Sequence, residues 1–479
     1  MSTWGTLFRA KRQDVARSEA DHSKRYKAIV SKTCIIGSGI TALARAWQLK
    51  QRGQDCDILE ISDQCGGAIQ SHRVGDYLAE EGPNSIQVNS AEVDNFLKSI
   101  PGFEDRVVMA SEDSKKRFIL RNGKPYAVPM GLLSAITTPL WSFSGKLRLL
   151  KEPFITAIDP EKEESVADFA RRRLGHEIYR YAINPLIGGI YAGEPERLSL
   201  RYAFPKLYAL EQKYGGVFRA SIANRRAARK SRVPKVDKRI ISFKDGLAEL
   251  AQLLVAALGE SVYTHASISS IRRIEVAWQV DWNGKTHTYD EVILTTPAHA
   301  LEKLPLDESV QKALQTLQAI DYSTVSVLTL AFKRGDVAHP LDGFGLLVPE
   351  CEGRKILGAL FPTSLFAGRA PADEVLLTVF VGGERQAELA VPDTDALLAT
   401  ILPELSELFG LTGAPTFSHH KHWPRAIPQY NLGYGKILAQ MDAIEKKFAG
   451  LKLAGNYRDG ISLSNCIEAA ISSEGQPTT

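Results

Sequence analysis

The sequence predicts an α/β fold, and three stretches carry that expectation. Residues 33 to 62 read as a strand, a glycine turn, a helix and a second strand. Residues 240 to 300 return to the same mixture of helix and buried strand, and residues 301 to 420 hold alternating strands suited to an antiparallel sheet facing a cavity. At 479 residues the chain is long enough for two or three units around substantial cores. Its formal charge of +4 is small for that length, and a dedicated nucleic-acid binder needs clustered positive charge, so no nucleic-acid partner is expected.

Residues 1 to 33 form a polar extension without the apolar core of a secretory signal, and Asp14, Glu19 and Asp21 count against a transit peptide. The first sharp signal follows, in TCIIGSGITALARAWQLKQRGQDCDILEIS. Cys34-Ile35-Ile36 reads as a buried strand. Gly37-Ser38-Gly39-Ile40-Thr41-Ala42 then turns into a helix whose apolar positions Leu43, Ala46, Trp47 and Leu49 recur at helical spacing, and Ile58-Leu59 is a second strand ending on Glu60. This is the G-x-G-x-x-G/A dinucleotide fingerprint with its strand before, helix after and acid about twenty residues on. Gly37 permits the turn, Gly39 lets backbone approach a pyrophosphate, and Ala42 allows close helix packing. The helix N-terminus offers N–H groups and a positive dipole end to the diphosphate, and Glu60 can accept from ribose hydroxyls.

FAD rather than NAD is expected from what comes next. DQCGGAIQS supplies Gly66-Gly67 and EEGPNS supplies Gly82. Each glycine alone is commonly a turn residue, but together and in this order they suit backbone passing close to a diphosphate and a flavin.

Farther along, SKKRFILRNGKPYAVP contains the Asn122-Gly123 hairpin signal, which predicts a strand over 116–121. Alternation sets Lys116, Phe118 and Leu120 on one face and Arg117, Ile119 and Arg121 on the other, leaving Arg117 as a pocket-lining or a surface residue. Residues 130 to 152 are apolar, then basic, and broken by Pro139; they suit either a membrane surface or a core. From about 165 to 212 the pattern is mostly helical, interrupted at GGIYAGEPERLS, where glycines allow close approach or a turn. DGLAELAQLLVAALG reads as a helix, VYTHASI as a strand, VAWQVDWNGKTHTYD as a hairpin turning at Asn283-Gly284, and EVILTTP as a buried strand. The closing LAGNYRDGISLSNCIEAA reads as a strand, a loop between Gly455 and Gly460, and a helix.

Five scattered cysteines without a C-x-x-C pair fit a reducing compartment. His419, His420 and His422 cluster in SHHKHWP, but no carboxylate or cysteine is near them in sequence, so no metal is expected. No apolar run reaches the ~20 residues of a spanning helix, which predicts a soluble or peripheral protein.

GSGITALA, GGAIQS, EGPNS, GGIYAGEPERLS, DGFGLLVP, PRAIPQYNLGY and LAGNYRDGISLSNCIEAA occur in an order that resembles the protoporphyrinogen oxidase family, FAD-dependent heme-pathway enzymes of the flavin amine oxidase-like superfamily. The resemblance covers nearly all of the chain after residue 33. It implies a discontinuous Rossmann-like FAD-binding domain (34–90, 240–300, 430–479), a mixed substrate domain with an antiparallel sheet plus helices (91–128, 213–239, 301–429), and a helical, membrane-contacting domain (129–212). FAD contacts would fall on Gly37, Ser38, Gly39, Ile40, Thr41 and Ala42; on Glu60 and Ile61; on Gly66, Gly67 and Ala68; and on Gly82, Pro83, Asn84 and Ser85. The adenine would meet the Ile268 backbone, and the flavin Asn456, Gly460, Ile461, Ser462 and Leu463. Substrate contacts would fall on Arg117, Gly189, Phe344, Leu347 and Phe380. Two departures stand out: Gln64 where many members carry Arg, and Ala68 where some carry Trp.

The activity implied is oxidation of protoporphyrinogen IX to protoporphyrin IX. Hydride leaves a methylene bridge for flavin N5, and molecular oxygen restores the flavin with release of hydrogen peroxide, three times per macrocycle. No catalytic side chain is assigned; the protein orients and desolvates the substrate. Coproporphyrinogen III is the alternative substrate, with four propionates instead of two. An amine oxidase or carotenoid desaturase on this fold is argued against by the later motifs. A flavin- or porphyrin-binding carrier without turnover is the alternative of another class. Peripheral contact with the inner face of a membrane or a cytoplasmic location, hand-off to a metal-inserting chelatase, and a homodimer complete the expectations.

Overall fold

The computed structural model describes residues 32–129, 132–230, 238–391 and 393–472. The polar extension up to residue 31, and residues 130 and 131 of the apolar stretch, lie outside the described residues.

Five short strands form one parallel sheet in the order Val262–Tyr263, Cys56–Leu59, Thr33–Ile36, Glu291–Leu294, Leu451–Leu453. Segments more than 400 residues apart thus share a sheet. Thr33–Ile36 is buried along its whole length, which is why it reads as an apolar run rather than an alternation. Helix Ile40–Gln51 buries Leu43, Ala46, Trp47 and Leu49 and packs against helices Ala248–Leu258 and Leu463–Ile471. Asn283 and Gly284 turn the expected hairpin at φ 48° and 75°. Its strands join Ile268–Ile274 in a separate antiparallel sheet.

A seven-stranded sheet runs Phe417–Pro428, Tyr322–Lys333, Glu374–Gly382, Ile356–Leu360, Gly345–Leu347, Arg117–Arg121, Lys124–Ala127. Neighbours are antiparallel except Gly345–Leu347 with Arg117–Arg121, which are parallel. One face is dry core: Leu328, Leu330, Phe332, Leu346 and Val379 pack on Leu397, Ile401 and Leu405 of helix Thr394–Phe409. Each such side chain stabilises the fold by ~1.5–3 kcal/mol. The strand expected at 116–121 forms over Arg117–Arg121, and Phe118, Ile119 and Leu120 are all buried. The second face is covered too: Tyr181 of the helical segment lies under Arg121, whose guanidinium is 4.4 Å from its ring.

The helical unit closes around Arg173, fully buried and bonded to Glu211 at 2.6 Å and Glu152 at 3.2 Å. On its outside, Phe143 (81%) and Phe154 (83%) are largely exposed, with Leu147 and Leu150 between them. Gly188 and Gly189 do not interrupt a helix. They lie inside Asn184–Tyr191, and the chain turns off only at Ala192, φ 48°. Among the described residues no helix is long and apolar enough to cross a membrane.

Candidate active site

Sterics shape the turn after the first strand before any ligand is considered. Gly37 has φ 99°, and a Cβ there would stand 2.9 Å from Thr295 Oγ1, so glycine is required. Thr295 Oγ1 donates to Ile36 O at 2.8 Å and pins the turn to the neighbouring strand. Gly39 differs. Its φ of −66° suits any residue, and a Cβ there would meet nothing within 4 Å. Open space lies over this backbone. The helix starting at Ile40 has neither a side-chain cap nor an acid in its first turn, so the N–H groups of Ile40, Thr41 and Ala42 have no intrahelical partner. Gly66 N donates to Ser38 O at 2.9 Å, and a Cβ on Gly67 would come within 3.3 Å of Gly39 Cα, so the glycine pair closes over the turn.

Glu60 ends the adjacent strand. Its Oε2 accepts from Ser38 N and Oγ at 3.0 and 2.6 Å, and its Oε1 from Ser62 N and Oγ at 2.9 and 2.8 Å. Burial opposes the charge, but these bonds outweigh it and hold the carboxyl below the usual range. The Ser62 pair is exposed, so a ribose hydroxyl can replace it. Ile61 is exposed, and Ala266 N donates to Glu60 O at 2.8 Å, bringing Ile268 to the same edge. Gly82 packs so tightly on Ala68 that a Cβ would lie 2.1 Å from its carbonyl oxygen. Pro83, Asn84 and Ser85 follow, half-buried, with Asn84 Nδ2 donating to Gly82 O at 3.1 Å.

The C-terminal loop reaches the same place from the sheet edge. Gly455 N donates to Asp459 Oδ2 at 2.9 Å; burial pushes that carboxyl up to about 6 despite the bond and the nearby Arg458. The Tyr430 hydroxyl accepts from Gly460 N at 2.9 Å and donates to Asn456 O. Ile461 leads to Ser462, which caps helix Leu463–Ile471 by accepting from Asn465 N at 3.1 Å, leaving the N–H groups of Leu463 and Ser464 for a ligand. The two helices pack side by side, Arg45 Nη1 of the first donating to Ala470 O of the second at 3.4 Å. Two uncommitted helix ends, open space over Gly39 and an acid at the ribose position fit a dinucleotide with a diphosphate, as FAD is.

On the face of the seven-stranded sheet turned to this cradle, Ile119, Leu347, Gly358, Phe380, Val327 and Lys421 stand in one register row. Gly358 lets the strands come close between Leu347 and Phe380, since a Cβ there would lie 2.5 Å from Leu346 O. Arg117, two residues before Ile119, shares their face and holds its guanidinium 5.0 Å from the Phe344 ring centre. Gly189 approaches from the helical unit so closely that a Cβ would lie 2.6 Å from Leu347 Cδ2. The fold therefore gathers Arg117, Phe344, Leu347 and Gly189, with Phe380 next along the row in an apolar cluster with Val327 and Leu357.

Lys421 closes the row, bonded to Glu81 Oε2 at 2.9 Å and Gln70 Oε1 at 3.0 Å, while Trp423 Nε1 donates to Glu81 O at 2.6 Å. These residues clamp the sheet to the segment before Gly82. Sequence reasoning missed them, along with Tyr430 and Asp459, although GGAIQS, EEGPNS, HHKHWP, PQYNLGY and NYRDG contain them. The histidine cluster also divides, because a strand alternates. His420 and His422 bond Thr394 and Ser326 on the far side, at 3.0 and 3.2 Å. His419 meets a carboxylate after all, Glu81 at 2.9 Å, with His72 stacked on its ring at 4.3 Å. Imidazole lone pairs lie in the ring plane, so two rings only 15° from parallel do not converge on one ion.

Comparison with known proteins follows the same outline. A family model described as flavin containing amine oxidoreductase matches residues 38–473. The chain is 31% identical over 479 aligned residues to protoporphyrinogen oxidase 2, chloroplastic/mitochondrial, of Arabidopsis thaliana, covering 94% of each chain. It is 28% identical to coproporphyrinogen III oxidase of Staphylococcus aureus, covering 92% of this chain and 97% of that one. A solved structure from Exiguobacterium sp. 255-15 superposes with a TM-score of 0.75 at 23% identity, covering 92% and 97%. Reduced UDP-galactopyranose mutase superposes with 0.69 at 15% identity, covering 93% and 97%; both likenesses concern the fold.

Proposed function

The chain belongs to the flavin containing amine oxidoreductase family as an FAD-dependent oxidoreductase, and we propose that it oxidises protoporphyrinogen IX to protoporphyrin IX with molecular oxygen as acceptor, releasing hydrogen peroxide. One observation carries the substrate reading: Arg117 over Phe344, beside the apolar row of Leu347 and Phe380, on the sheet face clamped to Glu81. The guanidinium holds a propionate bidentately, and Phe344, Leu347 and Phe380 receive the flat macrocycle. Gly189, close against Leu347, excludes water from its edge. The Gly37–Ala42 turn and the Leu463 helix end hold the cofactor, and Glu60 takes its ribose. When bound, FAD supplies the hydride acceptor.

Exposed Phe143, Leu147, Leu150 and Phe154, interleaved with Arg148 and Lys151, support a peripheral membrane contact. Leu186 and Ile190 are also exposed, on the helix whose Gly189 meets Leu347. Coproporphyrinogen III is a second reading, favoured by the relative from Staphylococcus aureus.

Anaerobic addition of protoporphyrinogen to the FAD-loaded protein is expected to bleach the flavin. Air should restore the flavin absorbance together with porphyrin fluorescence and peroxide. A flavin left oxidised by both porphyrinogens sinks the proposal, and porphyrin binding without oxygen uptake identifies a carrier.

A further inference from the structure

We infer that Arg385 is a second carboxylate anchor of this site and that, with Arg117, it selects a macrocycle carrying two carboxylates; the inference rests on the porphyrinogen reading above. Arg385 lies three residues beyond strand Glu374–Gly382, the strand that carries Phe380. A Cβ on Gly188 would be 3.1 Å from Arg385 Nη2 and 3.9 Å from Leu357 Cδ2, and the next residue, Gly189, touches Leu347. The guanidinium therefore lies between helix Asn184–Tyr191 and Leu357, which clusters with Phe380.

Its bonding there is incomplete. Nη1 donates to Asn184 Oδ1 at a long 3.3 Å. Glu350 is near enough to act on it electrostatically, but the Glu350 carboxylate is bonded by Asn184 Nδ2 at 2.9 Å. Among the described residues no carboxylate lies within 4 Å of Arg385 or of Arg117. Neighbouring cations are matched: Arg121 pairs with Glu177 at 2.8 Å and Lys421 with Glu81 at 2.9 Å. A half-buried cation among apolar side chains with no carboxylate in contact is costly until an anion arrives. The Leu357 and Arg117 strands are two spacings apart, ~10 Å, and Arg117 lies in the row of Leu360, three residues or another ~10 Å along, so the two guanidiniums stand at separate points of the same sheet. Two unmatched guanidiniums answer the two propionates of protoporphyrinogen, whereas coproporphyrinogen would bring two more carboxylates than there are free cations among these residues.

The test uses the full FAD-loaded chain with protoporphyrin IX, its monomethyl esters and its dimethyl ester as fluorescent probes. In the unaltered protein each lost carboxylate is expected to weaken binding roughly 10- to 100-fold. Arg385→Met should weaken the diacid by that factor, leave the dimethyl ester unchanged, and raise the KM for protoporphyrinogen with kcat within about twofold; Arg385→Lys should recover part of the loss. If Arg385→Met does not fold, the esters on the unaltered protein decide, and equal affinity for diacid and monoesters overturns the two-anchor clamp. An Arg385→Met protein that still ranks diacid over diester as the unaltered protein does overturns the inference alone. An unaltered protein that neither binds porphyrin nor oxidises protoporphyrinogen removes the substrate reading, and the inference with it.

Discussion

The two glycine loops of the cofactor cradle are held in opposite ways. Gly37 to Ala42 leaves a central strand hydrogen-bonded on both sides, and Gly37 N donates to Leu59 O at 2.9 Å across the sheet. The strand ladders on both sides hold it, with Thr295 and Glu60 as side-chain supports. The loop from Gly455 to Leu463 leaves an edge strand, and side chains shape it: Asp459 on Gly455, Tyr430 on Gly460 and Asn456, and Tyr434 on Tyr457 O. Tyr430 follows directly on the substrate-sheet strand Phe417–Pro428, so the second loop takes its shape from the substrate side while the first does not. A glycine replacement is needed to break the first, whereas one hydroxyl or carboxyl can loosen the second.

The largest effect that would expose this contrast is expected from Gly460→Val. Gly460 has φ 101°, and a Cβ there would lie 2.5 Å from Asn465 Nδ2. The variant should lose about 2 kcal/mol or more of stability and be purified nearly free of flavin absorbance; full flavin retention would show the loop lies elsewhere. Next comes Tyr430→Phe, which strips a partner from both Gly460 N–H and Asn456 C=O at ~1–3 kcal/mol per orphaned group and should weaken FAD roughly tenfold in a titration. Thr295→Val, the matching truncation at the first loop, should cost under ~1 kcal/mol because the strand ladders remain; equal losses at the two loops would erase the contrast.

A pH effect is the smallest. Burial raises the Asp459 carboxyl to about 6, above the ~3.9 of an unfolded chain. Protonation is thus favoured in the folded loop. That contribution is complete below the unfolded value and is lost as pH rises through about 6. FAD should leave faster at pH 7 than at pH 5, and Asp459→Asn should flatten the dependence.

The same contrast explains what is legible in the sequence. The first loop is local: strand, G-x-G-x-x-A turn and helix occupy adjacent residues, and the Asn-Gly hairpins at 122–123 and 283–284 are equally local. The face shared by Arg117 and Ile119 is also readable. Its direction toward Leu347, Gly358 and Phe380 is not, because register between strands over 200 residues apart is set by tertiary packing. Tyr430 and Arg385 are hidden for that reason. At Gly188-Gly189 the sequence leaves close approach and a turn open, and only packing decides for close helix-to-sheet approach. The histidine cluster misleads in both directions, because strand alternation separates sequence neighbours while folding supplies Glu81 and His72.

The most direct test of the cradle is Gly39→Ala. Its backbone accepts alanine, and the added methyl meets no protein atom within 4 Å, only the space assigned to the diphosphate. Thermal unfolding of the apoprotein should be unchanged or slightly raised, by ~0.4–1 kcal/mol, while FAD affinity in a titration falls at least roughly tenfold. Undiminished FAD affinity in a normally folded Gly39→Ala protein would contradict the account.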